Sequence, residues 1–133
     1  CRKHGLEPDY LDVVDCEEKP EIMKEFLQTH KNKDGTLTFD GVFAHTDYHG
    51  YLFMKLLQQD GFRVPEDVQI IGFDGINKFG NPEDGLFVSS ICQPIEQLAE
   101  KCVEILVSQD TQTVPSLTLL PVRYCYGGTT KEG

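Results

Sequence analysis

The sequence has no apolar run long enough to cross a membrane and no signal peptide ahead of its first predicted elements. A transmembrane helix requires about 20 consecutive apolar residues, so we expect no membrane partner. Basic residues are also few, because 12 Lys and Arg stand against 22 Asp and Glu and give a net charge of −10. A surface of this sign repels phosphate backbones, so this chain by itself should not bind nucleic acid.

Motifs of common enzyme classes are missing as well. The sequence contains neither Gly-x-Gly-x-x-Gly nor a P-loop, and Ser89 and Ser90 lack the Gly-x-Ser-x-Gly of a nucleophile elbow. His45 and His49 have a spacing that can bind zinc, but neither a His-Glu-x-x-His motif nor a nearby third ligand accompanies them. We therefore expect no metal, no cofactor and no catalytic residues.

The cysteines form no recognisable pattern, since they are odd in number, irregularly spaced and without a Cys-x-x-Cys motif. They are Cys1, Cys16, Cys92, Cys102 and Cys125. Three of them lie among apolar residues of predicted strands or helices, which predicts buried free thiols in a reducing compartment. We accordingly expect a cytoplasmic protein.

The apolar pattern predicts an α/β fold, a mostly parallel sheet with helices on both faces, because short β-type runs alternate with amphipathic helical segments. The length corresponds to about one domain. Strands are predicted at residues 10–14, 40–44, 68–73, 86–92 and 117–126, and helices at 20–30, 48–60 and 93–109. The last helix has one apolar face, formed by Ile95, Leu98, Cys102, Ile105 and Leu106.

Polar side chains follow three consecutive strands at their carboxyl ends, where ligands bind in open α/β sheets. Asp74 ends the strand at 68–73, Thr46 and Asp47 follow the strand before it, and Gln93 follows the strand after it. Carboxylate and amide groups that converge there, with Phe73 or Phe79 to stack on an apolar ring face, favour a polyhydroxylated ligand. The candidate ligand-binding residues are Asp74, Gln93, Thr46, Asp47 and Phe73.

Structural interpretations of the same residues remain open. Asp74 could cap a loop, Thr46 and Asp47 could cap the following helix, and Gln93 could flank a proline in a turn. Asp74 could also be a phosphoacceptor or a phosphatase nucleophile, although a second acid directly beside it is missing.

Four stretches resemble, in this order and spacing, the C-terminal half of LacI/GalR-family transcriptional regulators. They are residues 39–47, 61–74, 90–94 and 120–130, and the most specific part is Val-Pro-Glu-Asp-Val at 64–68 followed by Gly-Phe-Asp at 72–74 and Gln-Pro at 93–94. The resemblance implies a fold like that of periplasmic sugar-binding proteins, in which two α/β subdomains hold an effector in the cleft between them. Residues 1–92 would form a truncated C-terminal effector-binding subdomain, 93–114 a crossover helix belonging to the first subdomain, and 115–133 the terminal strand and tail.

The resemblance also implies roles and partners. Asp74 matches the family's effector-binding Asp, Gln93 matches the Gln of the crossover segment, and Thr46 stands where many members have Asn before the Asp at 47. Cys16 falls near the position of an aromatic wall in several members, and Gly127 falls where many have Arg, so those contacts differ here.

The implied function is the effector-sensing portion of a LacI-type DNA-binding regulator. A small-molecule effector, a sugar or similar compound, would be one partner. Operator DNA would be another, bound through an N-terminal domain absent from this chain, by a homodimer. The alternative is an exported sugar-binding protein of the ribose-binding type, which shares the fold.

Overall fold

The computed structural model describes residues 2–12, 21–76, 79–81, 86–108 and 117–132. A short 3-10 helix at Arg2–His4 comes first, followed by the helices α1 (Glu21–Thr29), α2 (Asp47–Gln59) and α3 (Ile95–Val107). The strands are β1 (Gly41–Phe43), β2 (Gln69–Asp74), β3 (Gly80–Asn81), β4 (Leu86–Phe87), β5 (Ser89–Cys92) and β6 (Arg123–Cys125). None of the helices in these segments is long and apolar enough to cross a bilayer.

The main sheet has the strand order β1-β2-β5-β6. Strands β1, β2 and β5 are parallel, whereas β6 runs antiparallel to β5 at one edge. Strands β3 and β4 form a separate antiparallel ribbon. The predicted α/β fold with a mostly parallel sheet is therefore confirmed.

The core lies where α1 and α2 meet the sheet. Apolar residues at helical spacing on both helices pack with alternate residues of β2, because each strand turns every second side chain to the same face. The largest fully buried apolar side chains are Leu27, Met54, Leu57, Ile70 and Val68. Each contributes roughly 1.5–3 kcal/mol by leaving water.

The opposite face of the sheet is less covered. Ile71, Phe73 and Ile91 alternate with the core residues and are half-buried, while Phe43 on β1 is 66% exposed. Among the described helices, α1 and α2 both belong to the single core on the other face. The structure therefore shows one covered face and one partly open face.

The Val-Pro-Glu-Asp-Val stretch at 64–68 forms the turn that leads into β2. Asp67 accepts hydrogen bonds from the Arg63 backbone N–H at 2.8 Å and from its guanidinium at 2.7 and 3.1 Å. These bonds lower the pKa of Asp67 to about 2, the side-chain bond from Arg63 being the largest cause. The ion pair closes the turn so that Val68 enters the core.

Three predicted strands differ from the structure. The strand at 86–92 is divided at Val88, whose backbone N–H bonds to Phe79 O at 3.1 Å while its side chain enters the core. The strand at 117–126 is reduced to β6, because Pro121 has no N–H for a ladder and Leu119 points into solvent. Of the strand predicted at 10–14, residues 10–12 are not in a strand and 13–14 lie outside the described residues.

Helix α3 forms where it was predicted, but none of its residues is buried. Leu106 is 82% exposed, and Ile95, Val103 and Val107 are also exposed. An amphipathic helix normally covers its apolar stripe against another element. The described elements leave this stripe open.

Cys92 and Cys125 form a disulfide, so the prediction of buried free thiols is wrong for this pair. They are 33 positions apart in sequence, but the antiparallel return of β6 places Cys125 opposite Ser90, two residues from Cys92, with 6.2 Å between the Cα atoms. Such a separation is suitable for a disulfide. Cys102 is free, as predicted, but the prediction that it is buried is wrong, because it is exposed on α3. Cys1 and Cys16 lie outside the described residues.

Thr129 joins the starts of β2 and β5 although it lies beyond both in sequence. Its carbonyl accepts from Ile70 N at 2.8 Å, its hydroxyl donates to Ile70 O at 2.7 Å, and the same hydroxyl accepts from Ser89 N at 2.8 Å. All three residues are fully buried. Because no water reaches these backbone groups, the threonine hydroxyl is required to satisfy them.

Thr129→Val should therefore destabilise the protein by roughly 2–4 kcal/mol, since a buried donor and a buried acceptor lose their partner at constant side-chain volume. Urea unfolding of the purified protein measures this change. The matched control is Thr38→Val, at an exposed threonine, which should change stability by less than about 0.5 kcal/mol. Equal effects at the two positions would contradict the role of the Thr129 hydroxyl.

Candidate functional site

The carboxyl edge of the sheet brings two of the predicted site residues into direct contact. The Gln93 side-chain amide donates to Asp74 Oδ1 at 2.9 Å. The parallel register pairs Asp74 with Cys92, so Gln93 leaves β5 directly beside the end of β2. Both side chains are half-buried at this edge.

Asp74 has a backbone φ of +116°, the only positive value at a non-glycine position in the described part of the chain. A side chain in this region costs on the order of 1–3 kcal/mol, and Asp and Asn tolerate it better than most residues. Gly75 follows with φ +80°. Two successive positive φ angles turn the chain sharply away from β2, which leaves Asp74 at the edge.

Two buried side chains from other elements hold this turn. The Gly75 N–H donates to Ser90 Oγ on β5 at 3.0 Å, and the Ile76 N–H donates to Asp47 Oδ2 at the start of α2 at 2.5 Å. Ser90 is fully buried and Asp47 is 1% exposed. The unusual backbone of Asp74 is thus fixed from both sides.

Asp47 faces the protein interior. Its Oδ1 is buried without a hydrogen-bond partner among the described residues. A Cβ added at Gly72 would meet this carboxylate and come within 2.9 Å of the Asp47 Cα. Gly72 therefore makes room on β2 for Asp47, whose position supports the turn at 74–76.

Thr46 is the N-cap of α2, as one of the structural interpretations predicted. Its hydroxyl accepts from the His49 N–H at 3.2 Å and lies 2.7 Å from Nδ1 of the His49 ring. The His45 ring lies 4.5 Å from that of His49, centroid to centroid. Groups of three or more possible metal ligands are not found among the residues that the structure describes.

The two phenylalanines proposed for stacking lie in different surroundings. Phe73 is half-buried and on the sheet face opposite Gly72, beside Ile91 of β5. Phe79 packs against Tyr48 of α2, with 5.3 Å between the ring centroids. Phe79 therefore packs with an aromatic side chain of α2, whereas Phe73 lies directly before Asp74 in β2.

The carboxyl edge is an open surface. Two hollows, of about 360 and 690 Å³, lie elsewhere. One is between α1 and α2, and the other is near the amino ends of β1 and β2, around Phe39 and Asp40. An effective small-molecule site usually encloses most of its ligand, and this edge alone does not enclose one.

Ser90 was not identified from the sequence as a site residue. The sequence suggests Ser90 only as a possible nucleophile, and its bond to Gly75 depends on the register that sets Ser90 beside Gly72. The available signal was a pair of serines in an otherwise apolar strand. Buried strand hydroxyls need partners, so such a pair indicates a bond to a neighbouring backbone.

The family of periplasmic binding protein-like domains matches residues 1–130, and the chain belongs to this family. The ribose operon repressor of Halalkalibacterium halodurans is 33% identical over 96 residues, which cover 70% of this chain and 26% of that protein. The sucrose operon repressor of Streptococcus mutans is 33% identical over 84 residues, which cover 62% of this chain and 26% of that protein.

A solved structure extends the comparison to the fold. The crystal structure of a periplasmic binding protein/LacI transcriptional regulator from Alkaliphilus metalliredigens, complexed with D-xylulofuranose, is 27% identical with a TM-score of 0.66. The match covers 98% of this chain and 48% of that chain. The chain thus spans about a quarter of the length of these curated relatives, and its resemblance to LacI-type regulators is confirmed.

Gly72→Ala should destabilise the protein by about 2–3 kcal/mol, because the new methyl group overlaps the Asp47 backbone and not only a movable side chain. Urea unfolding measures this loss. The control is Gly41→Ala on β1, where a Cβ meets nothing within 4 Å, and it should be nearly neutral or slightly stabilising. A neutral Gly72→Ala would show that Asp47 is not held against β2.

Proposed function

We propose that this chain is the effector-sensing part of a LacI-type transcriptional regulator, and that it binds a small polyhydroxylated effector, a sugar, at Asp74 and Gln93. The observation that carries the proposal is the hydrogen-bonded Asp74–Gln93 pair on a turn fixed by Ser90 and Asp47 at the open carboxyl edge. The names of the relatives, repressors of ribose and sucrose operons, support it.

The chemistry of the pair suits a sugar. A carboxylate accepts hydrogen bonds from two neighbouring hydroxyls, while an amide both donates and accepts. The bond between Gln93 and Asp74 uses one amide N–H and fixes both side chains, which leaves Asp74 Oδ2 and Gln93 Oε1 as acceptors for a ligand. Pre-organised polar groups lower the ordering cost of binding.

The other candidate residues have secondary roles in this proposal. Thr46 would offer its hydroxyl at the start of α2, and Phe73 would contribute apolar surface before Asp74. Asp47 would position the turn without touching the ligand, because it is buried. No residue in this group is proposed to be catalytic, so the protein would act as a sensor and not as an enzyme.

The second wall of the site would come from another subdomain. We propose the division into an effector-binding subdomain at 1–92, a crossover helix at 93–114 that packs on the first subdomain, and a terminal strand and tail at 115–133. The open apolar stripe of α3 supports this division, because it requires a covering surface. The sugar-bound relative is about twice as long as the matched part.

Closure of the two subdomains on the effector would shift a homodimer between states that differ in affinity for operator DNA, bound through a further domain outside this chain. The net charge of −10 supports assigning DNA binding to a different part. The protein would then act in the cytoplasm. The disulfide favours the alternative of an exported sugar-binding protein, because disulfides persist in oxidising compartments.

The test is a thermal-shift screen of the full-length protein with D-ribose, sucrose and D-xylulose, since a ligand that binds only the folded state raises Tm. Asp74→Asn should weaken binding about 10- to 100-fold through the loss of a charged hydrogen-bond acceptor. It should leave Tm without sugar nearly unchanged, because Asn also tolerates positive φ.

The control for this test is Asp40→Asn, which makes the same charge change at the amino end of β1 and should bind as the unaltered protein does. A large fall in Tm for Asp74→Asn in the absence of sugar would mean that Asp74 is a structural cap. Operator binding that responds to the sugar would distinguish the regulator from the exported protein.

A further inference from the structure

The Cys92–Cys125 disulfide lies against the turn that carries Asp74. Cys92 is paired with Asp74 in the β2–β5 register and directly precedes Gln93. A Cβ placed at Gly75 would lie 2.8 Å from both Cβ and Sγ of Cys92, so this side chain packs on the Gly75 backbone. A change at this sulfur would therefore alter the backbone that positions both Asp74 and Gln93.

The same disulfide joins the two ends of the segment between β5 and β6, which contains α3. The chain leaves the sheet after Cys92, forms α3 without burying any of its residues, and returns to the sheet as β6. Strand β6 is three residues long and pairs with β5 alone in the main sheet. The disulfide therefore adds a covalent link between these two connections, beside the ladder of β6 and the buried bonds of Thr129.

The two sulfur atoms differ in access. Cys92 is 7% exposed, whereas Cys125 is half-buried on the edge strand between Tyr124 and Tyr126, which are 50% and 54% exposed. A reagent that approaches from the edge reaches Cys125 first. Thiol–disulfide exchange needs such access, because the attacking thiolate must contact a sulfur of the bond.

We propose that Cys92 and Cys125 form a reversible redox modification site, opened by an external dithiol, that controls how firmly Gln93 and the two connections of α3 are held. This inference rests on the proposed function in so far as it concerns the regulation of the same site. In the oxidised form Gln93 is fixed beside Asp74; in the reduced form β6 and Gln93 move more freely and the site loses its pre-organisation.

The exchange is a two-step transfer of two electrons and two protons. A thiolate of the dithiol attacks Cys125 Sγ, a mixed disulfide forms, and Cys92 leaves as a thiolate that takes up a proton. The second thiol of the reagent then attacks the reagent's own sulfur in the mixed disulfide, which closes a disulfide within the reagent. Cys125 Sγ leaves as a thiolate and is protonated. Cys92 and Cys125 end as thiols, and the dithiol ends as a cyclic disulfide.

The first measurement is the thiol state of the full-length protein purified without reductant. Alkylation in denaturant followed by peptide mass spectrometry should label Cys102 but neither Cys92 nor Cys125, and all three should be labelled after treatment with dithiothreitol. Labelling of Cys92 and Cys125 before reduction would overturn the proposal.

The second measurement is amide hydrogen exchange of the oxidised and reduced protein without any sugar. Reduction should accelerate exchange in β6 and at Cys92, whose ladder the disulfide joins, by about tenfold or more, while the buried turns of α2 stay unchanged. Unchanged exchange in β6 and at Cys92 would overturn the proposal. Because no sugar is present, a failure of the sugar screen and a failure of this test are distinguishable.

Two variants complete the design. Cys125→Ser should exchange like the reduced protein whether or not dithiothreitol is added, while Cys102→Ser, at the exposed free cysteine, should keep the full response to reduction. A redox response that persists in Cys125→Ser would overturn the proposal. If Cys125→Ser does not fold, the oxidised and reduced forms of the unaltered protein still decide it.

Discussion

The candidate site depends on how two backbone N–H groups, those of Gly75 and Ile76, are satisfied. Both belong to a turn whose φ angles prevent it from continuing the ladder of β2, and both find acceptors on side chains, Ser90 and Asp47. Asp47 can approach only because position 72 is glycine. The strained backbone of Asp74 is thus supported by buried residues that would not themselves meet the proposed ligand.

On the proposed function, the chain would supply only one wall of a binding site. The edge that carries Asp74 and Gln93 is open, and the helix that follows Gln93 has an apolar stripe without a covering element among the described residues. The solved sugar complex that resembles this chain is matched over about half of its length. Both observations support the proposed site between two subdomains, in which each would supply one wall.

Local patterns were enough to predict much of this structure. The apolar run before Asp74 and the capped, amphipathic segment of α2 fixed the placement of β2 and α2, because both patterns act within a few residues. Asp74 and Gln93 could be placed together at the carboxyl edge because each lies at the end of a neighbouring strand. The disulfide and the role of Ser90 were missed, since both depend on which strands become neighbours and in what register.

The predicted strand at 117–126 failed for a related reason. β-type residues alone do not make a strand, because a strand also needs a partner. Exposed Leu117 and Leu119 have none in the part of the chain that the structure describes. The same reasoning applies to α3, whose pattern predicted a helix correctly but could not supply the surface that it packs on.

The bonds of Thr129 to both β2 and β5 also have a consequence for folding during synthesis. Ile70 and Thr129 are 59 positions apart, so the start of β2 cannot be satisfied until residue 129 has left the ribosome. Until then, an apolar strand with open backbone groups is exposed on the nascent chain, and contacts of such long range form slowly. Most of the core sequence is therefore synthesised before the residue that closes the start of β2.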